Sequence, residues 1–95
     1  MKKFVWNAVI EDADTPRETH TVSCVFRRLT GRITVTIDGE DFRLPAGFLG
    51  LAAARREIFR LGDEQAVLVV EKSGKAQLIF RGETVVPEIV EYSLI

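Results

Sequence analysis

Apolar and polar side chains alternate with a period of two through much of this chain, and the clearest case is RITVTIDGEDFRLP, Arg32 to Pro45. Such a period sends successive side chains to opposite faces of a strand. Asp38-Gly39 between the two runs is a strong signal for a two-residue hairpin turn. With that turn, Val35 faces Phe42 and Ile33 faces Leu44 on one apolar face, while Thr36 meets Asp41 and Thr34 meets Arg43 on the other. A slip of one residue would turn the apolar set outward, so pattern and turn chemistry agree on the register. Upstream, a tight turn at Thr30-Gly31 would set Phe26 opposite Val35 and Cys24 opposite Ile37, extending the apolar face over three strands. Threonine suits a positive-φ turn position poorly, so a bulged loop there would shift that pairing.

Downstream, AVLVVEKSGKAQLIFRGETVV reads as two strands about Ser73-Gly74 and a third after Gly82. A turn centred on Ser73-Gly74 sets Val67 and Val69 against Phe80 and Leu78, and Leu68 against Ile79. Both faces are then apolar, as in strands that are central or covered. FVWNAVIE near the start and EIVEYSLI at the end supply further strands, and residues 12–18, DADTPRE, make a polar loop. The segment PAGFLGLAAARREIFRLGD mixes signals. Leu51 to Phe59 is rich in helix formers and is followed by a glycine stop, yet Gly47 and Gly50 interrupt its start, and Glu57, Phe59 and Leu61 share one face of a strand. It predicts a loop or one short helical turn near residues 48–56, then a strand from about Arg56 to Leu61. The whole reads as a single all-β domain, residues 1–95, built as a small antiparallel β-sandwich or barrel of about seven to eight short strands.

The order of features resembles the Fas apoptotic inhibitory molecule family: Trp6 in the first strand, His20-Thr21-Val22, Gly31 followed by Val35 to Gly39 (VTIDG), Phe59-Arg60-Leu61-Gly62, and an apolar strand at 66–70. The chain departs from that pattern at Leu51 to Arg55 and after Gly82, where Pro87 interrupts the run. The resemblance implies a compact antiparallel β-sandwich and a non-enzymatic interaction protein in cell-death signalling and protection against protein aggregation, with no catalytic residues to carry over.

Composition narrows the function classes. Ninety-five residues suffice for one core, burying roughly two thirds of the surface of the unfolded chain. At 46% apolar and 28% charged residues the chain has an ordinary globular balance, and no window approaches a membrane span. Thirteen basic against fourteen acidic residues leave no net field to attract nucleic acid or an anionic membrane. MKKFVWNAVIED carries no small-residue cleavage pattern, and the single Cys24 rules out an internal disulfide or a cysteine zinc cluster. Both features fit a cytoplasmic protein.

Candidate chemistry is sparse. His20 and Cys24 as base and nucleophile would lie roughly 13 Å apart along one strand, too far for a hydrogen bond, so Cys24 is expected in the core. The register places His20 at the same sheet end as Asp38, Glu40 and Asp41, and one imidazole among three carboxylates has the donor chemistry for Zn or Mn. This is the basis of an alternative reading, a small metal-binding or hydrolytic domain; the plainer expectation is a solvated turn with His20 paired to an acid. Glu11, Asp12 and Asp14 lack the glycine and distal glutamate of a calcium loop. Asp38 and Asp41 have no apolar pocket to raise a pKa. Trp6 reads as a core anchor, and Arg55, Arg56 and Arg60 as a charged rim. No catalytic residue and no cofactor follow. The last seven residues hold Ile89, Val90, Tyr92, Leu94 and Ile95. Alternation buries Val90, Tyr92 and Leu94 and leaves Ile89 and Ile95 outside, and Pro87 suits an edge strand. The chain is therefore expected to be a protein-binding module that meets a protein partner, or a second copy of itself, through this terminal strand, with Ile89, Tyr92 and Ile95 in contact.

Overall fold

Nine strands account for the regular structure in the computed structural model, which describes residues 1–14, 16–27, 32–44 and 55–93. They are β1 (Lys2–Ile10), β2 (Glu18–Arg27), β3 (Arg32–Ile37), β4 (Glu40–Leu44), β5 (Arg55–Leu61), β6 (Glu64–Val70), β7 (Ala76–Phe80), β8 (Glu83–Val85) and β9 (Ile89–Tyr92). Two antiparallel sheets result, one in the order β4-β3-β2-β1-β9 and the other in the order β5-β6-β7-β8. The fold is a small all-β sandwich. Among the described residues no helix is long and apolar enough to cross a membrane.

The Asp38-Gly39 turn forms as its residues dictate. Both sit at positive φ, 50° and 86°, the requirement of a type I′ hairpin whose twist matches its strands. Val35 lies opposite Phe42 and Ile33 opposite Leu44. On the wet face, Thr36 Oγ1 donates to Asp41 Oδ1 at 2.6 Å.

Two other registers differ from expectation. Between β2 and β3, Cys24 lies opposite Val35 and Phe26 opposite Ile33, two residues from the pairing a tight Thr30-Gly31 turn would give. A shift of two keeps every side chain on its face, so the apolar pattern is blind to it. Between β6 and β7 the shift is one residue: Leu68 faces Leu78 and Val67 faces Ile79. Here the turn decides. Gly74 N–H donates to the Glu71 carbonyl and Glu71 N–H to the Lys75 carbonyl, both at 2.8 Å, and Gly74 at φ 88° takes the left-handed place of a three-residue loop. Leu68, Val70, Leu78 and Phe80 consequently point into the core, while Val67, Val69 and Ile79 lie half-buried on the outer face. β6 and β7 are the central strands of their sheet, as apolar residues on both faces suggest.

The expected helical turn near 48–56 falls mostly outside the described residues, but Arg55 and Arg56 belong to β5, where Glu57, Phe59 and Leu61 share the inward phase. Among the described residues there are nine strands, close to the seven to eight expected, and the strand expected after Gly82 and the terminal one form as β8 and β9. β8 pairs with β7, and β9 pairs with β1. Extended upstream, the β1–β9 register would set Pro87 opposite Asn7, and a residue without an N–H is where such a ladder gives out.

The core is built from Trp6, Val22, Cys24, Ile33, Leu61, Leu68, Val70 and Leu78, all fully buried. Trp6 stacks on Phe4 with ring centroids 5.8 Å apart and an interplanar angle of 11°. Strand β2 is held at both ends by turns of the opposite sheet. At one end Gly74 lies so close to Phe26 that a Cβ there would stand 2.6 Å from the ring. At the other end Gly62 approaches Glu18 and His20, with the corresponding position 3.1 Å from Glu18 Oε2.

Candidate functional site

The only histidine in the chain sits at that second end of β2. Period-two spacing puts Glu18 and His20 on the same face of the strand, and the β3–β4 turn brings Asp38 to the opposite side of the ring. His20 Nδ1 is 2.7 Å from Asp38 Oδ2, and Nε2 is 3.2 Å from Glu18 Oε2. The other Asp38 oxygen, Oδ1, accepts the Thr21 N–H at 2.9 Å, and the Asp38 N–H returns to the Thr21 carbonyl at 2.9 Å. Asp38 thus closes its own hairpin and ties it to β2. The hydrogen bond to Asp38, helped by the one to Glu18, raises the His20 pKa above its ordinary value against a smaller opposing effect of burial. The same bond to His20, with that from the Thr21 amide, lowers the Asp38 pKa.

Of the four residues considered as metal donors, the structure brings together His20 and Asp38. Asp41 is engaged by Thr36, and Glu40 is exposed at the head of β4. Glu18 completes the cluster; the shared phase of Glu18 and His20 along β2 was the signal that would have singled it out. Among the described residues no group of three His, Cys, Asp or Glu side chains is placed to hold a metal ion. Cys24 faces Phe4 and Val35 across its two neighbouring strands, and burial pushes its thiol up to about 12. It is a core residue. Arg55 bonds to Glu57 at 2.9 Å, and Arg56 and Arg60 are exposed along β5.

A cleft of about 430 Å³ opens between β4 and β5, the edge strands on one flank of the sandwich, and is lined by Val35, Ile37, Phe42, Ile58, Phe59 and Arg60 among others. Phe42 faces Val35 as expected, yet it remains 44% exposed; β4 is the edge strand of its sheet among the described residues.

The opposite flank carries β9. Its pairing with β1 continues through Ser93, whose N–H and carbonyl bond to Met1 at 2.8 and 2.7 Å. Since hydrogen-bonding direction alternates along an antiparallel strand, the backbone groups of Val90 and Tyr92 point away from β1, to the side where no described strand pairs with β9. Tyr92 meets Phe4 edge-on with centroids 6.2 Å apart, and Lys2 Nζ lies 5.8 Å from the Tyr92 ring centre. Ile89 is exposed as anticipated, but Val90 and Tyr92 are exposed too, Tyr92 by 63%. The cause is a mismatch in sheet width. One sheet has five strands and the other four, and β1 is the strand packed against β7 and β8, so β9 overhangs its cover. Val86, in the crossover between the sheets, is 82% exposed beside it. Ile95 lies outside the described residues. No protein-family model, curated protein or solved structure matches the chain, so what it does is inferred from its own residues.

Proposed function

We propose that this protein is a non-enzymatic interaction module that adds a strand to the outer edge of β9, and that the strand added is β9 of a second copy. The observation that carries this is the overhang. An edge strand presents unpaired backbone donors and acceptors, and here it also presents Ile89, Val90 and Tyr92, which the second sheet does not cover. An antiparallel edge is its own complement about a two-fold axis, so pairing needs no other kind of chain. Centring the axis on Glu91 would oppose two like charges, whereas centring it on Val90 brings two apolar groups together and sets Ile89 opposite the Glu91 counterpart. The resemblance to a family of non-enzymatic interaction proteins points the same way. A four-residue strand buries little area, so association is weak and depends on concentration.

Sedimentation over a range of concentrations, with a thermal melt beside each sample, tests this on the full chain. The wild-type chain is expected to pass from monomer to dimer as concentration rises, and Val90→Lys to remain a monomer with a nearly unchanged melt. A wild-type chain that stays monomeric throughout, or a Val90→Lys chain that dimerises equally well, overturns the proposal.

A further inference from the structure

We infer that His20 is a pH-operated clasp that holds the β3–β4 turn and the β5–β6 turn against the start of β2 while its ring carries both protons, and releases the β5–β6 turn when one proton leaves. The geometry demands two donors. Each ring nitrogen faces a carboxylate oxygen, Nδ1 at 2.7 Å from Asp38 and Nε2 at 3.2 Å from Glu18. A carboxylate only accepts, and a neutral imidazole has one N–H, so both contacts are hydrogen bonds only in the imidazolium form. Losing a proton turns one contact into lone pair against charge.

Which contact gives way follows from the distances. The Asp38 bond is the shorter, and Asp38 is held in place by the two backbone links to Thr21. Glu18 has the longer bond and is the more exposed partner, 57% against 45% for Asp38. Glu18 is also the nearer of the two polar side chains under the other sheet's turn: a Cβ on Gly62 would stand 3.1 Å from Glu18 Oε2 and 3.4 Å from His20 Nε2. Releasing Glu18 therefore loosens the polar packing under the β5–β6 turn, leaving His20 alone there, while Asp38 keeps its two links to Thr21. The charged groups acting on the ring are Asp38 from the β3–β4 turn and Glu18 from its own strand. β1 presents Ala8 across the ladder, and the β5–β6 turn presents the Gly62 backbone. Both charges act in the same direction, favouring the imidazolium.

Because the chain has one histidine, its ring can be titrated by NMR without ambiguity while amide hydrogen exchange is followed from mildly acidic to mildly alkaline solution, corrected for the intrinsic rate. The ring is expected to titrate above its ordinary value, and protection of the Gly62 and Asp63 amides to fall several-fold along the same curve, with the Thr21 amide keeping its protection. Glu18→Ala is expected to lower the titration point and to leave the turn as weakly protected on the acidic side as the wild-type turn is on the alkaline side. His20→Gln is expected to make turn protection independent of pH. A ring that titrates at or below its ordinary value, or turn protection that ignores the ring's titration, overturns the clasp.

Discussion

Asp38 combines two tasks in one short side chain, and this changes what its replacement should do. From the turn alone, Asp38→Asn is nearly neutral, since Asn-Gly suits the same hairpin. The carboxylate, however, accepts both the Thr21 N–H and the His20 Nδ1–H. An asparagine can accept one of these and turns an amide NH₂ toward the other, so the expected cost is on the order of 1 kcal/mol, kept small by partial exposure. A denaturant melt measures that cost, and the His20 titration should shift downward in the same variant. Cys24 makes a second residue-level test. Its thiol is buried and pushed up to about 12 by burial alone, and the thiolate is the species that reacts. A thiol reagent at mildly alkaline pH should label the native protein slowly and the denatured protein at once; rapid native labelling would refute the β2 registers as well as the inert role.

At the scale of elements, two turns of different length whose glycines share a positive φ carry different loads. Gly39 and Gly74 have nearly the same positive φ, 86° and 88°. Around Gly39 there is open space, with nothing within 4 Å of where a methyl group would stand. Gly39→Ala should therefore cost only backbone strain, about 1 kcal/mol. The β6–β7 turn rests on β2, and a methyl at Gly74 would meet the Phe26 ring at 2.6 Å. Gly74→Ala should cost the same strain plus displacement of a core aromatic, about 2–4 kcal/mol in all. Urea melts of the two variants give the comparison directly, and equal losses would show that the β6–β7 turn does not bear on Phe26.

For the whole molecule, the His20–Asp38 pair sets a stability profile against pH. The His20 pKa is raised above its ordinary value of 6.5, so its contribution is complete below pH 6.5 and fades as pH rises through the raised value. The Asp38 pKa is lowered below its ordinary 3.8, so its contribution is complete above pH 3.8 and fades as pH falls through the lowered value. Between those limits both are present. The melting temperature should accordingly hold a plateau in mildly acidic solution and decline as the solution turns alkaline, and His20→Gln should flatten that upper limb. The effect is small, at most about 1 kcal/mol for a pair this open to solvent. A wild-type profile that rises steadily from mildly acidic to alkaline solution would contradict the assignment.

Period-two alternation and the Asp-Gly turn were sufficient to determine the β3–β4 hairpin, its register and its apolar face, because a one-residue slip there reverses burial and the turn admits no other length. They also marked β6 and β7 as central or covered strands because both faces are apolar; the two are central, with the outer face half-buried. Tertiary structure alone decided the rest. The β2–β3 register moved by two residues, a shift that preserves faces and so leaves no trace in the pattern; the β6–β7 register moved by one because Gly74 closes a three-residue loop in place of a two-residue one. Sequence placed His20 near the acidic turn, but Glu18 joined it through strand phase, and Gly62 through the packing of one sheet on the other. The exposure of Val90 and Tyr92 belongs to no residue or strand considered singly: it arises because five strands lie over four, and the width of a sheet is known only when all its strands have found their partners.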